Sequence, residues 1–138
     1  MSSSLQPTFA PSETLPWVIR RWAERDPDRP FLREVGGGER SYGQFHEATL
    51  RWADAFHRAG VGPGDNVATM VRTSIAAEEH WLALGWLRAV QAGINTDFRG
   101  RALQYVLANC KVERMICQRG NFRQMDIVRS IITFFKQR

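Results

Sequence analysis

Three histidines, His46, His57 and His80, are the side chains of this sequence best suited to moving protons near neutral pH. Each falls in a stretch of helical periodicity among charged neighbours, and no nucleophile in an elbow motif or paired carboxylate accompanies them. A solvated or capping role is therefore expected for all three. Cys110 and Cys117 stand seven residues apart, with no CxxC pair and no clustered histidine. That spacing indicates neither zinc nor a redox dithiol, and both cysteines read as small buried hydrophobes. Asp97, Arg99 and Arg101 form a polar cluster just past Ile94-Asn95, a place where open parallel sheets gather ligands. Ion pairing within the loop is the role expected of them. Gly36-Gly37-Gly38 invites comparison with a phosphate cradle, but neither a GxGxxG spacing opening a helix nor a following Lys-Ser/Thr is present, so a hairpin turn is expected. No residue is assigned a catalytic, cofactor-binding or metal-binding role.

The elements that would position these groups can be read from periodicity and punctuation. Residues 1–13 mix Ser, Pro, Thr and Gln and read as a flexible leader. From Thr14, the apolar positions Leu15, Val18, Ile19, Trp22 and Ala23 recur at helical spacing, and the helix should stop near Asp26-Pro27. Phe31 to Val35 and Glu39 to Ser41 read as a small hairpin. Ser41 and Gln44 have the spacing of a capping box for a helix running to about Ala59, with Phe45, Ala48, Trp52, Ala55 and Phe56 on its buried stripe. Gly60 should terminate it in the left-handed region. Pro63-Gly64 predicts a turn into a buried strand from Asn66 to Val71.

Thr73 or Ser74 can cap a third helix reaching about Val90, with Glu78 and Glu79 in its early turns. Gln91 to Asn95 is a weak strand candidate, Arg101 to Asn109 a fourth helix, and Val112 to Cys117 a further strand. Strands alternating with helices of this length predict an α/β fold whose parallel sheet is covered on both faces.

Composition agrees with one folding domain. The chain has 138 residues, 43% apolar and 24% charged, with five Trp and eight Phe. No apolar stretch approaches the roughly 20 residues of a membrane-spanning helix, and the first residues lack a secretory pattern, so a cytoplasmic location is expected. The formal charge of +5 is uneven. From Arg119 onward five basic residues (Arg119, Arg123, Arg129, Lys136, Arg138) face one acidic residue, Asp126, and the preceding body is nearly neutral. A basic face with stacking aromatics is missing from that body, so no nucleic-acid partner is expected.

Residues 118–138 differ in composition from the rest, being rich in Ile, Phe and Gln. Met125, Val128, Ile131, Ile132 and Phe135 fall at helical intervals, which predicts a packed C-terminal helix. A membrane-surface helix and a poorly ordered end are the alternatives, and one short helix with few charges would bind lipid only marginally.

The order of these elements resembles the opening of the AMP-forming acyl-CoA synthetase, or adenylate-forming ligase, superfamily. Four segments carry the resemblance: Asp26-Pro27-Asp28-Arg29-Pro30 before a strand, Ser41-Tyr42-Gly43-Gln44-Phe45 opening a helix, Gly60-Val61-Gly62-Pro63-Gly64-Asp65-Asn66-Val67-Ala68, and Ala89-Val90-Gln91-Ala92-Gly93-Ile94-Asn95. The stretch from Ile94 to Arg101, with Leu103 and Tyr105, is most similar to crotonobetaine and carnitine CoA ligases and related fatty-acyl-CoA ligases. Arg88 stands where that last motif usually has glycine, and Gly93 where it often has proline. Lys111-Val112-Glu113-Arg114 replaces a small-residue step. The resemblance covers residues 14–117 as the N-terminal portion of the synthetase domain, leaving 118–138 as a divergent basic tail.

Such a resemblance implies a ligase that joins a carboxylate to ATP, releases pyrophosphate, and passes the acyl group to coenzyme A, with magnesium on the phosphates. It also implies a Ser/Thr/Gly-rich loop ending in Pro-Lys that holds the phosphates. Lys111 and Lys136 are the only lysines here, and neither lies in a glycine-rich loop. The expectation is an N-terminal fragment that binds none of ATP, magnesium or CoA alone and is inactive by itself. The other reading is a non-catalytic module that meets a partner chain, or itself, through an uncovered sheet face.

Overall fold

A computed structural model describes residues 14–117 and the backbone of residues 133–136. Helix α1 spans Leu15–Arg25, with Thr14 at the N-cap position and Pro16 in the first turn, where a missing amide hydrogen costs nothing. It stops before Pro27, as the sequence predicts. Strands β1 (Pro30–Arg33) and β2 (Glu39–Ser41) pair antiparallel across the glycine turn, in which the Glu34 amide donates to the Gly38 carbonyl at 2.9 Å.

Helix α2 (Tyr42–Arg58) begins with the full capping box: the Gln44 amide donates to Ser41 Oγ at 3.3 Å, and the Ser41 amide donates to Gln44 Oε1 at 3.1 Å. Gly43 explains why two of the sequence motifs travel together. Its amide donates to the Pro27 carbonyl at 2.9 Å, and a Cβ there would sit 3.0 Å from that oxygen. The buried stripe of α2 is Phe45, Ala48, Thr49, Ala53 and Phe56, with Trp52 packed beside it. Ala55, expected inside, is exposed, because the helix packs against both α1 and the next helix, α3 (Ile75–Trp86), and the stripe follows those two neighbours.

The second sheet has the order β4-β3-β5-β6, built from β3 (Asn66–Met70), β4 (Val90–Gly93), β5 (Arg114–Cys117) and β6 (Thr133–Lys136), all neighbours parallel. Alternation along β3 and β5 sends side chains both ways. Val67 and Ile116 pack with Phe56, Ala83 and Leu84 of α2 and α3 (Ile75–Trp86), whereas Ala68, Met70 and Met115 pack with Leu103 and Leu107 of α4 (Gly100–Asn109). The central strands thus have helices on both faces.

Residues 133–136 correct one expectation. The helical spacing assigned to the tail included Phe135, yet Thr133 to Lys136 extend β5 as a parallel neighbour, with Arg114 opposite Thr133. A short apolar run does not distinguish helix from strand by periodicity, and the open edge of β5 offers backbone partners that a helix could not use. The remainder of the predicted helix, residues 125–132, lies outside the described residues, as does the leader.

Three of the helices end alike. After α2, Gly60 has φ +86°, its amide donates to the His57 carbonyl, and the next amide, Val61, donates to Phe56. Arg88 after α3 (φ +56°) and Lys111 after α4 (φ +49°) repeat the same pair of hydrogen bonds. This is the Schellman arrangement, whose left-handed position ordinarily holds glycine. It also explains why α3 ends at Trp86 rather than near Val90.

Candidate functional site

Open parallel sheets place ligands beyond the carboxyl ends of their strands, and here a recess of about 450 Å³ lies at the ends of β3 and β4, bordered by the start of α3. Thr69 and Gln91 form its floor: Gln91 Nε2 donates to Thr69 Oγ1 at 2.6 Å, and β4 is held beside β3 by the Ile94 amide donating to the Thr69 carbonyl at 2.9 Å. Asn95 and Thr73 lie on its rim. Ser74 caps α3 by accepting from the Ala77 amide at 3.2 Å, which resolves the sequence alternative between Thr73 and Ser74. Glu78 in the first turn places a carboxylate against the positive end of that helix.

These groups can hydrogen-bond the polar part of a ligand. General acid–base chemistry would need more than Glu78, the recess's one ionisable side chain. Lys111 lies just before β5 begins, at the amino end of the parallel strands, whereas the recess lies at their carboxyl ends, so it cannot approach a phosphate placed over the recess. Among the described residues, no three His, Cys, Asp or Glu side chains gather closely enough to hold a metal ion.

The polar loop after β4 is organised differently from expectation. The Asp97 amide donates to Asn95 Oδ1 at 2.8 Å, and Arg99 Nη1 donates to the carbonyls of Thr96 and Phe98 at 2.5 and 2.8 Å. Arg99 therefore satisfies backbone oxygens of its own loop instead of pairing with Asp97. The ion pair that does organise a turn was not foreseen. Asp65 Oδ2 accepts from the Gly62 amide at 2.9 Å and from Arg114 Nη1 at 3.0 Å, joining the turn after Gly60 to the start of β5. Arg40 and Glu79 form a second long-range pair at 3.2 Å, tying β2 to α3 around a buried carboxylate.

The histidines divide. His57 is exposed in the last turn of α2, where a cation suits the helix dipole, as expected. His46 is half-buried with its ring 5.9 Å from that of Trp86, and desolvation followed by Arg20 lowers its pKa. His80 overturns the expectation of a solvated role: it is 1% exposed, edge-on to Trp52 at 4.3 Å, and burial lowers its pKa to about 4. A neutral ring filling the α2–α3 interface is a packing element. The sequence signal for this was its i, i+4 relation to Leu84, obscured by Glu78 and Glu79 before it. Cys117 is buried as expected, with its thiol pushed up to about 11 by desolvation, and Cys110 is half-buried.

A second concavity, of about 540 Å³, is apolar. Leu15 and Ile19 of α1, Phe31 of β1, and Ile75, Trp81 and Leu82 of α3 line it. Trp81 is 46% exposed and Leu15 42%, so apolar surface remains open to solvent here.

Comparison with known proteins decides the family. Residues 19–134, well over half the chain, match the family model described as AMP-binding enzyme. The chain belongs to the AMP-binding enzyme family. The match runs past Cys117, where the sequence motifs end, and reaches into β6. Over 106 residues the chain is 31% identical to the 3-oxocholest-4-en-26-oate–CoA ligase of Rhodococcus rhodochrous, covering 77% of this chain and 18% of that protein. The chain thus spans less than a fifth of that relative's length.

The fold matches solved members of the family. A fatty acyl CoA synthetase of Mycobacterium tuberculosis superposes with a TM-score of 0.79 at 20% identity, over 88% of this chain and 26% of that one. The NpsA N-terminal subdomain of Klebsiella oxytoca, solved with anthranilyl-AMSN, superposes with a TM-score of 0.70 at 23% identity, over 75% and 27%. These likenesses concern the fold.

Proposed function

We propose that this chain is the N-terminal scaffold portion of an ATP-dependent acyl-CoA ligase, in which a carboxylate is activated as an acyl-adenylate and then transferred to CoA, and that it is inactive by itself. The observation that carries the reading is the match of residues 19–134 to the AMP-binding family together with 31% identity to a CoA ligase. In this reading the parallel sheet and its recess form one wall against which other ligase sequence would build the nucleotide site. The residues present do not fit ATP and its magnesium: the triple glycine is a hairpin turn, and Lys111 lies at the amino end of the parallel strands, away from the recess. ATP, magnesium and CoA are therefore requirements of the full-length ligase, supplied in the cytoplasm.

The test is pyrophosphate release by the purified chain with ATP, magnesium and a panel of fatty and steroid carboxylic acids. Release at the level of the protein-free control is expected. Turnover above that level would refute the assignment of the chain as scaffold.

The apolar groove favours a second reading, a module that binds a partner chain. The two are compatible, because a scaffold whose groove is open in isolation can be covered by another polypeptide.

A further inference from the structure

We propose that the groove between α1, β1 and α3 is a strand-docking site for a partner polypeptide: an extended, apolar segment carrying basic residues that adds to β1. This rests on the partner-binding reading given above. Two features point to an extended strand as the occupant. Among the described residues, strand β1 pairs on one side only, its sheet being β1-β2. Phe31, Leu32 and Arg33 of β1 and the turn residues Glu34 and Val35 all contribute to the groove, so the β1 main chain borders it. A two-stranded sheet is marginal in water and presents unpaired amides and carbonyls to any strand that can reach them.

Side chains select the composition of that strand. Leu15 and Trp81 face it from the helices over the buried Ile19 and Ile75, and Val35 in the turn after β1 is fully exposed. Alternate side chains of an added strand would find these surfaces, which is how strand addition acquires specificity. The charges are asymmetric. Arg33 is already paired to Glu39 at 2.5 Å, whereas Glu34 and Glu78 border the groove outside any ion pair among the described residues. The rim is therefore negative, which favours lysine or arginine on the incoming segment and disfavours an acidic one.

Calorimetric titration of the full chain with a blocked nine-residue peptide, alternating valine with threonine and carrying two lysines, tests this. Compared with it, the same peptide with glutamate for lysine should bind about tenfold more weakly or worse, and a version N-methylated at alternate amides should lose binding. The double variant Glu34→Lys/Glu78→Lys should reverse the charge preference. Equal affinity of the lysine and glutamate peptides, or undiminished binding after N-methylation, would overturn the proposal, and both comparisons use the unaltered chain, so they stand even if the double variant fails to fold. No ATP is involved, so this result and the pyrophosphate result can fail independently.

Discussion

Arg88 offers the sharpest test of the physical reasoning, because it occupies a backbone position that α2 fills with glycine. At φ +56° an L-residue incurs about 1–2 kcal/mol relative to right-handed geometry. Replacement by glycine removes that strain and adds about 0.5–1 kcal/mol of unfolded-state entropy. The side chain is exposed, so its removal costs little packing, and the carbonyl that accepts from the Gly64 amide at 2.9 Å is main chain and survives the change. The net expectation for R88G is a gain of about 0.5–1 kcal/mol, or roughly 3–6 °C in Tm for a domain of about 100 residues. R88A keeps the strain and should not gain. Lys111→Gly, at φ +49° in the same arrangement, should repeat the result. Thermal and urea unfolding followed by circular dichroism provide the measurement. If R88G is no more stable than R88A, the claim that these helices end under left-handed strain is wrong.

His80 should make stability fall with acid. Its pKa of about 4 in the folded chain lies below the ordinary 6.5, so the unfolded chain binds the proton first. Stability is then full above pH 6.5 and declines toward pH 4 by up to about 3 kcal/mol. In H80Q the decline between pH 7 and pH 4.5 should be shallower, as read by urea midpoints; an identical slope would assign the effect to other groups. Asp65→Ala removes one acceptor shared by the Gly62 amide and Arg114, both partly buried, and should cost about 1–2 kcal/mol. Asp65→Asn, which still accepts from the amide, should retain part of that in the same unfolding assay.

Local chemistry was legible before any coordinates. The capping box at Ser41 and Gln44, the stop before Pro27 and the glycine end of α2 each involve groups within a few residues of one another, so the chain itself carries their geometry. The family could be read in the same way, from motifs whose spacing is local. By contrast, Thr133 to Lys136 became a strand because β5 leaves an edge to pair with, sixteen residues earlier in the chain. His80 became a core residue because α2 and α3 close around it, and Asp65 meets an arginine 49 positions away. Arg88 shows both levels at once: sequence marked it as a departure from glycine, and only the packing of α3 against the sheet shows that the departure is a strained turn. Hydrogen bonds and caps are decided between near neighbours, but burial and strand pairing depend on which distant surfaces meet, and that is a property of the assembled fold.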